Sequence, residues 1–208
     1  MTPRIALAQG IQSLGLTVAA GDQDRLLAYV QLLAKWNKTY NLTAIREPLR
    51  MISHHLLDSL AVVPHLHSGT LADVGAGAGL PGIPIAIVDP HRRVTLNDAS
   101  QKKSVFLRQA LIELGIANAD VHAGRAEAWA PRQKFDCVIS RGFAELARFI
   151  ATCRHLVAPG GTLIAMKGTF PEDELGSVPP GVDCSDVRRL RVPQLDAERH
   201  LVFCRCAA

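Results

Sequence analysis

The sequence predicts an α/β fold, with a helical segment ahead of a doubly wound and mainly parallel sheet of seven strands. Three observations carry this prediction. Strands alternate with helices from about residue 70 onward, a glycine-rich loop follows the first of them, and the chain closes with two strands joined by a short link. Alternating strands and helices favour a parallel sheet, whereas a short link favours an antiparallel pair. We therefore expect a helical segment over 1–66, packed on a Rossmann-like domain over 67–208.

The first 66 residues carry helical periodicity. Leu26, Val30 and Leu33 recur at helical spacing, and Asp22 is a candidate cap for that helix. Pro48 suits the first turn of a second helix, which we expect Pro64 to end.

The sheet is predicted from short apolar runs that alternate with helical segments. The expected strands are 70–74, 93–97, 120–123, 135–140, 162–167, 186–192 and 200–206. The helices expected between them cover 102–114 and 145–157, and Pro159-Gly160-Gly161 is expected to form a turn. The last two strands leave no room for a helix between them, so we expect an antiparallel C-terminal hairpin.

Composition and charge exclude several classes of protein. Of the 208 residues, 48% are hydrophobic and 20% charged, which is unlike a disordered or fibrous chain. The longest apolar run, 83–88, is too short to span a membrane, and the N-terminus lacks the pattern of a signal peptide. We therefore expect a cytoplasmic protein. The net charge of +4 permits a polyanionic partner without requiring one.

The five cysteines are scattered and odd in number, with no C-x-x-C pair. This pattern argues against a disulfide framework and against a structural zinc site, so we expect reduced thiols that pack as small hydrophobic side chains. His54 and His55 are adjacent and therefore point to different sides of a helix. We predict no metal site.

The strongest motif is the glycine loop, which runs from Asp73 to Gly82 with glycines at 75, 77, 79 and 82. Glycines let the backbone turn sharply and let a ligand lie against it. The alternating glycines suit S-adenosylmethionine, but Gly77-x-Gly79-x-x-Gly82 also satisfies the dinucleotide pattern. Asp98, at the end of the second strand, can accept hydrogen bonds from the ribose of either cofactor, or it can simply cap a helix. The closing hairpin favours the methyltransferase version of this fold over a dehydrogenase.

Several further stretches resemble one known family, the bacterial small-subunit ribosomal RNA methyltransferase G family, also called the glucose-inhibited division protein B family. The matching stretches are Lys35-Trp36-Asn37-Lys38, Tyr40-Asn41-Leu42-Thr43, His55-x-x-Asp58-Ser59, Asp73-Val74-Gly75-x-Gly77-x-Gly79-Leu80-Pro81-Gly82-Ile83-Pro84, Ser140-Arg141-x-Phe143, Lys167-Gly168 and Glu198-Arg199-His200-Leu201. They occur in the family's order over most of the chain.

The resemblance implies a class I fold and an activity, namely methylation of N7 of guanine 527 in the 530 loop of 16S rRNA, with S-adenosylmethionine as cofactor. The implied cofactor contacts are Gly75, Leu80, Ala126, Glu127 and Arg141. Gly77 and Gly79 in the glycine loop, and Asp98 at the end of the second strand, are further candidates for this set. The implied partner is 16S rRNA within the 30S subunit or an assembly intermediate, with no membrane and no obligate protein partner.

The chemistry of guanine N7 explains why no acid–base pair stands out. N7 carries an exposed lone pair and loses no proton when it is methylated, so positioning matters more than a strong general base. We therefore assign no catalytic acid or base, and Arg141 is a candidate positioning residue. Two alternatives stay open on the residues alone, a nicotinamide-dependent oxidoreductase and a non-catalytic RNA-binding assembly factor.

The candidate RNA contacts are polar or cationic side chains outside the glycine loop. They are Lys35, Asn41, Lys167, Arg189 and Arg191. Arg189 and Arg191 are expected on one face of a strand, and a solvated face is the competing interpretation.

Overall fold

The computed structural model describes residues 2–143 and 145–206 and contains the predicted seven-stranded sheet. The strand order is β3-β2-β1-β4-β5-β7-β6, in which β7 is antiparallel to both of its neighbours and the other pairs are parallel. The strands are β1 (Leu71–Val74), β2 (Val94–Asp98), β3 (Ala119–Ala123), β4 (Phe135–Arg141), β5 (Val157–Lys167), β6 (Val182–Leu190) and β7 (Arg199–Cys206). The strand order reverses between β1 and β4, and ligands of such sheets bind at the carboxyl ends of the strands beside this point.

Helices precede the sheet and connect its strands. They are α1 (Pro3–Ser13), α2 (Ala20–Tyr40), α3 (Pro48–Met51), α4 (Asp58–Leu60), α5 (Gly82–Val88), α6 (Gln101–Glu113), α7 (Leu146–Cys153) and α8 (Glu172–Leu175). A π-helical turn, Ile52–Leu57, joins α3 to α4. Over residues 2–143 and 145–206, no helix combines the length and the apolar character needed to cross a membrane.

Each face of the sheet buries its own hydrophobic cluster. The larger cluster joins α1, α2 and the segment from α3 to α4 with α5, α6 and the strand residues that face them, such as Leu71 and Leu96. The smaller cluster packs α7 against the opposite face, which includes Val74 and Val138. Because side chains alternate along a strand, the apolar runs of β1 and β4 contribute buried side chains to the clusters on both faces of the sheet.

The N-terminal helices also support the glycine loop directly. The hydroxyl of Tyr29, on α2, donates a 2.7 Å hydrogen bond to the carbonyl oxygen of Ala78 within that loop. Tyr29 is fully buried, and desolvation raises the pKa of its hydroxyl, so it stays a neutral donor. The helical segment therefore shapes the site as well as completing the core.

Replacing Tyr29 with phenylalanine is expected to lower the free energy of unfolding by about 1–2 kcal/mol, because the buried carbonyl of Ala78 loses its donor. Urea unfolding measures this loss. Tyr40→Phe is the matched control, since Tyr40 is 42% exposed and should tolerate the change. Equal stability of the two variants would contradict the support of the loop by Tyr29.

Four local predictions are wrong. α2 begins at Ala20 without a side-chain cap, and Asp22 lies in its first turn, where it pairs with Arg25. α7 is shorter than the predicted helix over 145–157, because a 3-10 turn follows it and Val157 already pairs with β4. The predicted turn over 159–161 lies inside β5 as an irregularity, where Gly160 takes a φ of +76°. β6 ends at Leu190, so Arg191 does not share a strand face with Arg189.

The prediction of five reduced thiols is also wrong, because Cys184 and Cys204 form a disulfide with their Cα atoms 4.2 Å apart. The two cysteines face each other across β6 and β7, where the register shifts between Asp183 and Asp186. Sequence spacing could not show this register. Cys137 and Cys153 are free and buried, as expected of thiols that pack as hydrophobic side chains.

Candidate active site

The glycine loop turns the chain from the end of β1 into α5. Gly75, Gly77 and Gly79 take φ values of +70°, +59° and +88°, which other residues rarely adopt. Gly82 is required for a different reason, because a Cβ there would meet Leu96 and would lie 2.8 Å from Oδ2 of Asp73. The alternating glycines are thus needed for backbone conformation, and the last one for close packing.

A cavity of about 320 Å³ opens beside this loop, and we call it the glycine-loop cavity. Its lining comes from the carboxyl ends of β1 and β2 and from the segments that follow β3 and β4. The lining residues are Val74, Gly75, Asn97, Ala99, Gly124, Arg125, Ala126, Glu127, Phe143 and Thr152. Three predicted cofactor residues, Gly75, Ala126 and Glu127, therefore meet at one cavity.

Asp98 lies between two lining residues and links the loop to α6. Its Oδ2 accepts a 2.9 Å hydrogen bond from the backbone N–H of Gly77, and its Oδ1 accepts one of 2.8 Å from Ser100. Asp98 thus holds the loop and orders the entry to α6, although the residue that caps α6 is Ser100. Its contact with a ribose stays a prediction. Gly79 and Leu80 serve the packing of the loop, since a Cβ on Gly79 would meet Ile83, and Leu80 is buried.

Asn97 is a site residue that the sequence argument did not select. Its side-chain amide donates to the backbone carbonyls of His122 and Gly124, at 3.2 and 2.9 Å. These bonds hold the segment that carries Ala126 and Glu127 against the end of β2. The sequence signal for this role was a side-chain amide at the end of an otherwise apolar strand.

Asp73, at the start of the glycine motif, is fully buried. Its Oδ2 accepts a 2.8 Å hydrogen bond from the N–H of Gly82, whereas its Oδ1 has no hydrogen-bond partner among the described residues. Burial raises the pKa of Asp73 to about 7, against the opposing effect of the bond from Gly82. The carboxyl group is therefore easier to protonate in the native state than in the unfolded chain.

Replacing Asp73 with asparagine is expected to change how stability depends on pH. The raised native pKa means that the wild-type free energy of unfolding falls as pH rises from about 4 to about 7. Asp73→Asn lacks this loss, so its stability relative to the wild type should rise by about 2–4 kcal/mol between about pH 4 and about pH 8. Urea unfolding across that range measures the difference.

Asp136→Asn is the control, because the pKa of Asp136 is shifted in the opposite direction from that of Asp73. Hydrogen bonds from Thr70 lower the pKa of Asp136, so its contribution to stability is present at neutral pH and is lost as pH falls. Parallel pH curves for wild type and Asp73→Asn would contradict a protonated Asp73.

A second cavity, of about 410 Å³, lies on the other side of the β4 terminus, and we call it the arginine cavity. Arg141 and Gly142 line it, whereas the next residue, Phe143, lines the glycine-loop cavity. The lining residues are Thr43, Ala44, Ile45, His54, His55, Asp58, Arg141, Gly142, Met166, Lys167, Gly168 and Arg199. Five of the stretches that carry the family resemblance contribute to this list.

Asp58 organises the wall of the arginine cavity. Its carboxylate is 1% exposed and pairs with Arg141 Nη1 through Oδ2 at 3.1 Å and with Arg199 Nε through Oδ1 at 2.8 Å. The π-helical turn before Asp58 carries His54, whose carbonyl also accepts a 3.0 Å bond from Arg141. Single π-helical turns are frequent at functional sites.

His55 is buried in the same wall and shares a 2.8 Å hydrogen bond with the hydroxyl of Thr43. Desolvation and the nearby Arg141 guanidinium lower the pKa of His55 to about 4, so the imidazole is neutral at neutral pH. Of the described residues, no group of three or more histidines, cysteines or acidic side chains could hold a metal ion.

The other predicted contacts are distributed unevenly. Lys167 lines the arginine cavity and pairs with Glu174 at 2.6 Å. Asn41 is exposed as the left-handed C-cap of α2, two residues before Thr43. Lys35 is exposed on α2, and Arg189 and Arg191 line a separate surface depression beyond β6. The structure therefore brings Arg141 and Lys167 together and leaves the other predicted contacts, Lys35, Asn41, Arg189 and Arg191, outside that cavity.

A family model described as rRNA small subunit methyltransferase G matches residues 22–202. The chain belongs to this family. Its relatives named Ribosomal RNA small subunit methyltransferase G include a Methylobacillus flagellatus protein, 54% identical over 197 residues. Another, from Neisseria meningitidis, is 53% identical over 198 residues. Each alignment covers 95% of this chain and 95% of the relative, so membership of the methyltransferase G family extends over nearly the whole length.

Solved structures agree on the fold of this methyltransferase G family member. The glycopeptide N-methyltransferase MtfA superposes with a TM-score of 0.61 at 15% identity, over 76% of this chain and 98% of that one. The likeness confirms the class I methyltransferase fold. Family membership confirms S-adenosylmethionine as the cofactor and removes the oxidoreductase alternative.

Proposed function

We propose that this protein transfers the methyl group of S-adenosylmethionine to N7 of a guanine in the 530 loop of 16S rRNA. The observation that carries the proposal is the meeting of two cavities at the carboxyl end of β4, one beside the glycine loop and one lined by cations. The names of the relatives supply the class of substrate, small-subunit ribosomal RNA.

The glycine-loop cavity fits the cofactor. Gly75 leaves the backbone open on the cavity side, since a Cβ there would meet nothing nearer than Ser140 Oγ at 4.0 Å. Asp98 lies at the end of β2, where a carboxylate can bind ribose hydroxyls. The proposed cofactor-binding residues are Gly75, Gly77, Gly79, Leu80, Asp98, Ala126 and Glu127. Arg141, which the resemblance also implied as a cofactor contact, lines the arginine cavity instead of this one, so we leave it out of this set. When bound, S-adenosylmethionine supplies a methyl group on a positively charged sulfur.

The groups around the arginine cavity favour a nucleophile that carries no proton, such as guanine N7, because Asp58 and His55 are poor general bases. Both carboxylate oxygens of Asp58 accept hydrogen bonds from arginines, so this carboxylate is poorly placed to remove a proton. His55, with its lowered pKa, is a weak base. Guanine N7 needs neither, and the chain's contribution is to orient the base and exclude water.

The proposal is tested with tritiated S-adenosylmethionine and 30S particles from a strain that lacks this methyltransferase. We expect transfer to these particles and little transfer to 30S particles from the parent strain, whose target is already methylated. Naked 16S rRNA in the same series shows whether the assembled particle is required. Absence of transfer to both unmethylated substrates would overturn the proposal, and a non-catalytic role in assembly would then remain.

A further inference from the structure

The ion-pair triad of Asp58, Arg141 and Arg199 joins three distant parts of the chain. Asp58 begins α4, Arg141 ends β4, and Arg199 begins β7. Each carboxylate oxygen serves one guanidinium, at 3.1 Å for Arg141 and 2.8 Å for Arg199. Further bonds to the backbone carbonyls of His54 and Glu198 hold the two arginines in place. The triad is thus a rigid unit in the cavity wall.

We propose that Asp58 is a positioning residue, which holds Arg141 and Arg199 as a pair that binds a phosphate group of the RNA beside the target guanine. This inference rests on the proposed function.

The charge of the triad suits an anion. Two guanidinium groups share one carboxylate, which leaves a formal charge of +1 at the cavity wall. The carboxylate is 1% exposed, whereas the two arginine side chains are 25% and 23% exposed, so the cations are the groups that a ligand can reach. Each guanidinium has five N–H donors, and the internal bonds use only some of them. Guanidinium groups held in a fixed orientation bind phosphate with two hydrogen bonds each.

The reaction itself selects phosphate over the base as the partner of the arginines. Methylation of N7 places positive charge on the guanine, so cations in contact with the ring would oppose the reaction. Arginines that bind a phosphate group lie away from the guanine ring and do not oppose the charge that develops on it. It also anchors the nucleotide, which is how most phosphate contacts act in nucleic-acid recognition.

The deciding variant is Asp58→Asn. An asparagine can accept from one arginine, but its NH₂ group faces the other, which then loses its partner. The substitution also makes the cavity more positive. An effect of charge alone would therefore tighten RNA binding, whereas loss of positioning weakens it. We expect about tenfold weaker binding to unmethylated 30S particles, a matching rise in KM, and an unchanged Kd for S-adenosylhomocysteine.

Asp89→Asn is the matched control. Asp89 pairs with Arg92 at 2.9 Å at the end of α5, so the variant breaks an ion pair with the same change of charge outside both cavities, at a more exposed carboxylate. It should bind particles as the wild type does. Particle binding by Asp58→Asn that equals or exceeds the wild type would overturn the proposal.

Arg199→Lys is the second test variant, and it is used if thermal melting shows that Asp58→Asn does not fold. Lysine preserves the charge but lacks the planar pair of donors, so we expect about fivefold to tenfold weaker particle binding. Unchanged binding would contradict a positioned pair. A wild-type protein that neither binds nor methylates the particle overturns the proposed function, whereas a failure confined to the variants overturns the role of Asp58 alone.

Discussion

Replacing Gly82 with alanine is expected to destabilise the protein by about 3 kcal/mol and to abolish measurable cofactor binding. The added Cβ would meet Leu96 and lie 2.8 Å from Oδ2 and 3.1 Å from Cβ of Asp73. Both neighbours are fully buried in the sheet, so neither can move cheaply. Urea unfolding and calorimetry with S-adenosylhomocysteine measure the two effects.

Alanine substitutions at two other glycines serve as comparisons for this prediction, because their added Cβ atoms have more space. Gly77→Ala should cost about 1 kcal/mol, because its φ of +59° is strained for alanine although its nearest neighbour would be 3.8 Å away. Gly21, in the first turn of α2, has open space around it, and Gly21→Ala should be neutral or slightly stabilising. A Gly82→Ala protein as stable as Gly21→Ala would show that the close packing is not needed.

Replacing Asp98 with alanine is expected to raise the Kd for S-adenosylhomocysteine about 10-fold to 100-fold while the protein stays folded. The change removes the acceptor proposed for the ribose and also frees the N–H groups of Gly77 and Ser100 that the carboxylate now holds. The fold should persist because the hydrophobic clusters do not depend on this side chain.

The matched control is Asp120→Ala, an exposed carboxylate on the neighbouring strand β3 that lies outside both cavities. Calorimetry on both variants, with circular dichroism to check folding, gives the comparison. An unchanged Kd for Asp98→Ala would reduce Asp98 to a residue that orders the start of α6.

Local sequence patterns were sufficient to predict the sheet and the glycine loop. The apolar runs of β1 to β4 locate those strands within one residue at each end, and the glycines mark positions that need positive φ. The patterns failed where pairing between strands decides the structure. Val157 is drawn into β5 by its pairing with Phe135, and Cys184 reaches Cys204 through an irregular register.

The arginine cavity was out of reach of local patterns for the same reason. Asp58 and Arg141 are 83 residues apart, and Asp58 and Arg199 are 141 apart, so no spacing rule connects them. The family resemblance includes all three residues but assigned a role to Arg141 alone. Only the three-dimensional fold shows that one buried carboxylate holds both cations.

The most direct test of this account is to locate the methyl group after the reaction. Unmethylated 30S particles are treated with the protein and S-adenosylmethionine, and the 16S rRNA is digested and analysed by mass spectrometry. The account predicts a single new 7-methylguanosine, in the 530 loop. A methyl group on another atom, or on a nucleotide outside that loop, would contradict it.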